Sequence, residues 1–264
     1  MKRITGLLCA MSLAGVTHAE GLPWGKSMAA GHDLPLPFGL GVDFFDMDQD
    51  YRLQSLQFDL PGVPAIPPDL VSVKNEIEHR DLKFDAWLLP FLNVFALYGQ
   101  VDARTDVDLT GVPAAALGLP PLGVVPVRYD GNVYGAGLTL VYGSDRWFTS
   151  LTGTWTRSKL DGDFDSTVRS QSWQPRLGLI RGAWSAWIGG QYISVEENHT
   201  GVIQLIPALP PIPFSVRLQE DDAWNEIVGV RYEVNEHLDF TAEFGGGSRH
   251  TTLVNGTWRF GSSD

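Results

Sequence analysis

The sequence predicts an all-β fold: a closed antiparallel transmembrane up-and-down β-barrel of about ten strands. Three observations predict it. Apolar and polar residues alternate with a period of two, short and long connections alternate along the chain, and aromatic residues cluster near strand ends. Closure matters because only helices and closed barrels satisfy every backbone polar group inside lipid.

The chain begins with the pattern of a secretory signal peptide. Lys2 and Arg3 form a basic region, residues 4–16 are uncharged and mostly apolar, and Thr17-His18-Ala19 offers a small-x-small cleavage site. We therefore expect residues 1–19 to be a signal peptide and residues 20–37 a periplasmic N-terminal segment. Residues 38–260 then form a single barrel domain, and residues 261–264 a C-terminal tail.

The composition of the chain excludes several classes of partner and structural element. The formal net charge of -12 argues against nucleic acid as a partner. The one cysteine, Cys9, lies in the signal, so the mature chain offers neither a disulfide nor a cysteine metal site. The longest apolar candidate, residues 86–99, is broken by Pro90, which argues against a transmembrane helix.

The strands follow in order from the alternation. We predict them near residues 38–49, 71–88, 92–109, 127–142, 146–159, 166–180, 184–197, 214–233, 237–245 and 250–260. Short turns fall near residues 89–91, 143–145, 181–183 and 235–236. Longer connections fall near 50–70, 110–126, 160–166, 198–213 and 245–250. An even strand count, short turns at one end, long loops at the other and a signal peptide together predict a bacterial outer-membrane barrel. Many strands exceed the roughly 9–11 residues that a bilayer needs, so the excess should project beyond the headgroups.

The alternative is a soluble lipocalin-like barrel with its apolar face inward, which alternates in the same way. Aromatic positions favour the membrane barrel, because they sit near strand ends while strand middles carry Leu, Val, Ala and Gly. The aromatic residues on the apolar face are Tyr134, Tyr142, Trp147, Trp155, Trp173, Trp184, Tyr192, Tyr232, Trp258 and Phe260.

The last strand carries a resemblance. Residues 255–260, Asn-Gly-Thr-Trp-Arg-Phe, alternate and close on an aromatic, with four residues following. This resembles the C-terminal signal of small Gram-negative outer-membrane β-barrel proteins, a porin-like and OmpA-like group, which the assembly machinery recognises. The resemblance implies barrel architecture and location in the outer membrane, and it names no ligand or catalytic residue.

If the apolar face meets lipid, the polar face lines the lumen. The predicted lumen residues are Asp43, Asp81, Lys83, Asp85, Tyr98, Gln100, Arg176, Gln191, Arg231, Glu233, Asp239, Glu243 and Arg259. Ten strands leave little space inside, and buried charges need partners. These residues therefore predict a plug of ion pairs, with a narrow polar pathway for a solute and a catalytic lumen as alternatives.

Three apolar connections, each with a Pro-Pro pair, fall at the long-loop end. Their predicted lip residues are Pro67, Pro68, Leu119, Pro120, Pro121, Leu205, Ile206, Leu209, Pro210 and Pro211. Proline stiffens such loops. They either pack as an apolar cap over the barrel mouth or act as a gate for a hydrophobic ligand or partner surface.

Acidic residues ring the same end, including Asp161, Asp163 and Asp165. We expect no cofactor. The ring is either a solvated rim or a weak Ca²⁺ or Mg²⁺ site that bridges to lipopolysaccharide phosphates, since the spacing lacks the glycine and distal Glu of an EF-hand.

The sequence leaves three functions open. The first is a narrow channel or binding barrel for a small hydrophobic or amphipathic molecule. The second is a surface interaction or adhesion protein that displays its loops on a plugged barrel. The third is an outer-membrane lipid or peptide hydrolase built on His79, His199 or His250, which the absence of a recognisable catalytic motif disfavours.

Overall fold

The computed structural model describes residues 22–29, 34–58, 66–117, 121–162, 166–196, 198–203, 212–220 and 222–262. Twelve strands form a single antiparallel sheet within these ranges. The strands are β1 (Phe38–Phe58), β2 (Ser72–Leu89), β3 (Leu92–Asp108), β4 (Val124–Gly143), β5 (Trp147–Gly162), β6 (Ser166–Arg181), β7 (Trp184–Glu196), β8 (Asn198–Ile203), β9 (Ile212–Glu220), β10 (Trp224–Asn235), β11 (Leu238–Gly247) and β12 (Arg249–Phe260). Short 3-10 turns cover Lys26–Ala29, Pro68–Leu70 and Ala114–Leu117. No helix in these ranges is long or apolar enough to span a membrane.

Ten strands close the barrel, as predicted. Neighbours pair in the order β1 to β7, then β10, β11 and β12, and β12 returns to β1 from Phe38↔Phe260 to Gln49↔Arg249. The paired residues can be followed from strand to strand once around the barrel. The path that starts at Gly178 of β6 returns to the same strand at Ser166. This stagger of the register tilts the strands relative to the barrel axis, as closure requires.

The remaining two strands form a hairpin that the sequence did not predict. The predicted strand over residues 214–233 is wrong: it divides into β9 and β10, which belong to different parts of the sheet. β1 is longer than the predicted 38–49, and its second half pairs with β9 from Tyr51↔Glu220 to Phe58↔Phe214. β12 begins at Arg249, opposite Gln49, so the β8–β9 hairpin occupies the edge of β1 that β12 leaves free.

Two of the predicted long connections are short. Three residues separate β5 from β6, and Ser248 alone separates β11 from β12. The second turn is this tight because Gly247 has a φ of 120°, a conformation that residues with a Cβ rarely adopt. The long connections lie between β1 and β2, β3 and β4, and β7 and β10, all at one end of the barrel.

The outer surface of the barrel carries a continuous apolar band. Exposed apolar side chains alternate with buried polar ones, as in Leu40, Val42 and Phe44 of β1 around buried Asp43. Aromatic residues bound this band on both sides. The belt toward the long loops is Tyr98, Tyr134, Trp155, Trp173, Tyr192 and Trp224, and the belt toward the short turns is Phe38, Tyr142, Trp147, Trp184, Tyr232, Trp258 and Phe260. An apolar exterior between two aromatic belts is the surface of a transmembrane barrel and excludes the lipocalin-like alternative.

Beyond the belt near the long loops, the polarity of the wall reverses along the same strands. On β1 the outer face changes from Val42 and Phe44 to exposed Asp46 and Asp48, while the inner face changes from Asp43 to Met47 and Tyr51. On β3, buried Val101 and Ala103 alternate with exposed Asp102 and Arg104. The barrel therefore extends past the membrane as a wall with a charged exterior and an apolar interior.

The N-terminal segment packs across the short-turn end. The amide of Trp24 donates to the carbonyl of Leu88 at 2.9 Å, and the amide of Trp87 donates to the carbonyl of Pro37 at 2.8 Å. Arg259 Nη1 donates to the carbonyl of Leu36 at 3.3 Å from inside the barrel. These contacts hold residues 34–37 against the lower mouth.

Candidate functional site in the barrel interior

The lower interior, at the height of the apolar band, is crossed by ion pairs. Arg176 of β6 reaches Glu243 of β11, with Nε 2.7 Å from Oε2 and Nη2 3.1 Å from Oε1. The indole Nε1 of Trp187 on β7 donates to the same carboxylate at 2.7 Å, and the guanidinium lies 6.0 Å from the centroid of the Trp187 ring. Arg176 also donates to Thr152 and Gln174. A bidentate pair with this many further partners satisfies the charges that burial would otherwise penalise.

A second group of ion pairs lies toward the short turns. Arg259 Nη1 is 3.2 Å from Asp85 Oδ1, and Asn93 Nδ2 donates to the same oxygen at 2.6 Å. Arg231 Nη2 is 3.1 Å from Asp239 Oδ2 and 3.2 Å from Glu233 Oε1. Together these residues link β2, β3, β10, β11 and β12 across the lower mouth.

A third group is centred on an ion pair between β1 and β2. Lys83 Nζ is 3.3 Å from Asp43 Oδ2, and Asn255 Nδ2 donates to Asp43 Oδ1. Thr257 Oγ1 donates to Asn255 Oδ1 at 2.8 Å, which orients the amide. The carboxylate opposite Asp43 in the register is Asp81.

Inward-facing glycines make room for these side chains. A Cβ on Gly229 would stand 2.3 Å from the Trp187 ring, so the position accommodates the indole that holds Glu243. A Cβ on Gly99 would stand 2.2 Å from Asp81 Oδ1, which lies over that glycine. Close approach, not conformational freedom, explains glycine at both positions.

Much of the upper interior is apolar, although buried Gln49, Asn75 and Arg249 also face inward at this height. Buried Val101 and Ala103 of β3, Val127 and Tyr129 of β4 and Leu160 of β5 form one cluster, which we call the apolar wall. A buried polar cluster adjoins it: Thr105 Oγ1 donates to Asn75 Oδ1 at 3.0 Å and lies 3.0 Å from the hydroxyl of Tyr129.

Two of the proline-rich connections place buried residues in the upper interior. Ile66 of the first and Val112 of the second are buried against Tyr51, Val73 and Leu109, with Leu122 packed beside them. We call this cluster the apolar cap. In the described residues, then, the connections fold inward onto the inner face of β1, β2 and β3.

Most predicted lumen residues do face the interior. Those that do are Asp43, Asp81, Lys83, Asp85, Arg176, Gln191, Arg231, Glu233, Asp239, Glu243 and Arg259, with Glu233 half-exposed at the lower mouth. Tyr98 and Gln100 are corrections: both are exposed on the outer face, and Tyr98 donates to Asn132 at 3.3 Å. Their polar character predicts that Tyr98 and Gln100 face inward. On β3, however, polar residues face outward where the polarity of the wall reverses.

The interior also uses residues that the sequence did not single out, namely Asn93, Trp187, Asn255 and Thr257. Trp187 was hard to find because it is an aromatic on the polar face. Its alternation with outward Ala186 and Ile188 was the available signal.

The predicted loop lip is only partly within the described residues. Pro67, Pro68 and Pro121 are exposed. Leu119, Pro120, Leu205, Ile206, Leu209, Pro210 and Pro211 lie outside the described residues.

The acidic rim shows no metal cluster in the part of the chain that the structure describes. Asp161 is exposed, and Asp163 and Asp165 lie outside that part. At the end of β3, the amide and hydroxyl of Thr110 donate to Asp108 at 2.9 and 2.6 Å, which lowers the pKa of this exposed carboxyl.

The histidines considered for catalysis are dispersed. His79 lies inside the barrel with Nδ1 3.9 Å from Asp81 Oδ2, whereas His250 is exposed on the outer face. Ser248 Oγ donates to the carbonyl of Trp224 at 2.6 Å. The side chain of His199 lies outside the described residues. A nucleophile and base within hydrogen-bond reach are therefore not found among the described histidines and Ser248.

No family model matches the chain, and no curated protein matches it. Solved structures with similar folds include the COG4313 outer membrane channel from Pseudomonas putida F1, at 12% identity and a TM-score of 0.41, covering 86% of this chain and 97% of that one. The toluene transporter TodX from Pseudomonas putida matches at 11% identity and 0.35, covering 86% and 89%. The transport unit of the autotransporter AIDA-I from Escherichia coli matches at 9% and 0.42, covering 85% and 90%. At these values the similarities carry no inference about function, and the fold rests on strand pairing and the outer surface.

Proposed function

We propose that the chain is an outer-membrane barrel that binds and admits a small hydrophobic or amphipathic molecule at its upper interior. The observation that carries the proposal is the reversal of wall polarity. A barrel that only anchors loops has no need of an apolar inner wall above the membrane, whereas a ligand with apolar surface does.

The apolar cap supports a gating role for the proline-rich connections. Ile66 and Val112 bury apolar surface against the inner wall. A ligand with similar surface could replace those contacts at little net cost, because the hydrophobic effect is non-directional. In this proposal the cap opens for the ligand and closes over it.

The lower interior supports a controlled exit instead of an open pore. The pair between Arg176 and Glu243 joins strands that are not neighbours in the sheet, so its side chains cross the space that a solute would use. Passage toward the periplasm then requires this pair to rearrange, whereas binding at the apolar wall does not.

Calorimetric titration of 1-hexanol into the protein in lipid nanodiscs tests the proposal, with empty nanodiscs as the blank. We expect saturable binding that Ala103→Gln weakens by about fivefold or more, because the amide is placed in the apolar wall without a partner. Asp102→Gln, on the opposite face of the same strand, should bind like the unaltered protein. Heats that match empty nanodiscs would refute the proposed function.

A further inference from the structure

Among the described residues of the lower interior, carboxylates outnumber lysines and arginines, and Glu233 and Asp239 share Arg231. Four cations of the lower interior each lie within hydrogen-bond distance of a carboxylate: Lys83 with Asp43, Arg176 with Glu243, Arg231 with Asp239, and Arg259 with Asp85. Among the described interior residues of β2, Asp81 is the carboxylate without a lysine or arginine partner.

Asp81 is also the carboxylate with an unused oxygen. Its side chain is 9% exposed, Oδ1 has no hydrogen-bond partner, and His79 Nδ1 is 3.9 Å from the other oxygen. Asp43 stands directly opposite in the register, which adds a second negative charge close by. A buried carboxylate in this setting is stabilised by any cation that can reach it.

The position of Asp81 selects the kind of cation. Asp81 pairs with Gly99, and the next inward pair along β2 and β3 is His79 with Val101, where the apolar wall begins. Asp81 therefore lies at the floor of the apolar upper interior. A hydrated inorganic ion would lose its water against that wall, whereas an alkyl group gains by contact with it.

We propose that Asp81 receives the ammonium group of a small amphipathic amine whose apolar part lies against the apolar wall. This inference rests on the proposed function, because the wall supplies the apolar half of the site. The ammonium donates to the carboxylate of Asp81 and supplies the positive charge that this carboxylate lacks. Gly99 has no side chain, which leaves room for the Asp81 carboxylate to lie over it.

The test compares hexylammonium with 1-hexanol, which have the same chain length, by calorimetric titration into the protein in lipid nanodiscs. We expect the unaltered protein to bind hexylammonium at least about tenfold more tightly, since hydrogen bonds to charged groups are the stronger ones. Asp81→Asn should remove this preference and leave hexanol binding unchanged, and Asp81→Glu should retain it. Asp145→Asn, the same change at an exposed short turn outside the barrel interior, should have no effect.

The outcomes separate the two proposals. Equal affinity for hexylammonium and hexanol in the unaltered protein would overturn the role of Asp81 while leaving the proposed function intact. A preference that persists in Asp81→Asn would also overturn it. If neither compound binds, the proposed function fails and this inference fails with it. Retention of the heat-dependent gel shift of a closed barrel by Asp81→Asn would show that the variant folds.

Discussion

At the scale of single residues, Glu243 is the point where the lower interior is held together. It accepts from Arg176 through both oxygens and from the indole of Trp187, so three strands meet at one carboxylate. Its side chain is 5% exposed, which means that water cannot replace a lost partner.

Glu243→Ala should therefore destabilise the barrel by about 3–5 kcal/mol, because Arg176 would remain buried without its counter-charge. The measurement is the urea midpoint of unfolding, followed by the loss of the compact species on a gel. Arg104→Ala is the matched control, since Arg104 pairs with Asp106 in an exposed ion pair. Equal midpoints for the two variants would show that the interior pair is not structural.

Gly229 is the second residue on which packing depends. Gly229→Ala places a Cβ 2.3 Å from the Trp187 ring and should cost about 1–3 kcal/mol as the indole shifts away from Glu243. Gly246→Ala is the control, because nothing lies within 4 Å of its Cβ. The ratio of unfolding midpoints checks the prediction, and a Gly229→Ala variant as stable as Gly246→Ala would contradict it.

The sequence predicts the direction of individual side chains only where polar residues face inward and apolar residues face outward along the whole stretch. Alternation alone places Asp43, Asp85 and Glu243 inward, and they are inward. It fails at Tyr98 and Gln100, just where the outer face of β3 changes from lipid-facing to solvent-facing. The pattern cannot show that reversal, because a polar residue there is equally compatible with a lumen and with an aqueous exterior.

At the scale of elements, the β8–β9 hairpin completes the wall above the membrane. The ends of β10, β11 and β12 that face the long loops lie near the level of Gln49. The hairpin pairs with the half of β1 that starts at Tyr51. The sequence missed it because β8 and β9 flank the proline-rich stretch, and because the alternation predicts one strand over residues 214–233, across the boundary between β9 and β10. Pairing across the barrel, which decides both points, leaves no local signature.

Replacing residues 197–221 by a short Gly-Ser linker should leave the membrane barrel intact, because the pairing of β7 with β10 and of β12 with β1 does not involve the hairpin. The variant should keep its heat-dependent gel shift and lose most of its 1-hexanol binding, since the upper interior would be open on one side. Normal binding by a folded variant would show that the hairpin is not part of the site.

At the scale of the whole molecule, the two parts of the barrel have opposite polarity on their inner and outer faces. Between the aromatic belts the exterior is apolar and the interior is charged. Past the belt near the long loops the exterior is charged and the interior apolar. Strand number, closure and the apolar band could be predicted from periodicity and aromatic positions, because both are local properties of each strand. The inner apolar wall and its cap could not, since they depend on which connections fold inward.

The most direct test of this architecture is quenching of the intrinsic tryptophan fluorescence by brominated lipids after reconstitution into bilayers. Trp147, Trp155, Trp184, Trp224 and Trp258 are exposed on the outer face, whereas Trp187 is buried inside. We expect strong quenching, greatest with bromines near the headgroups where the belts lie. Fluorescence that brominated lipids leave unchanged would mean that the apolar face is turned away from lipid and would contradict the transmembrane barrel.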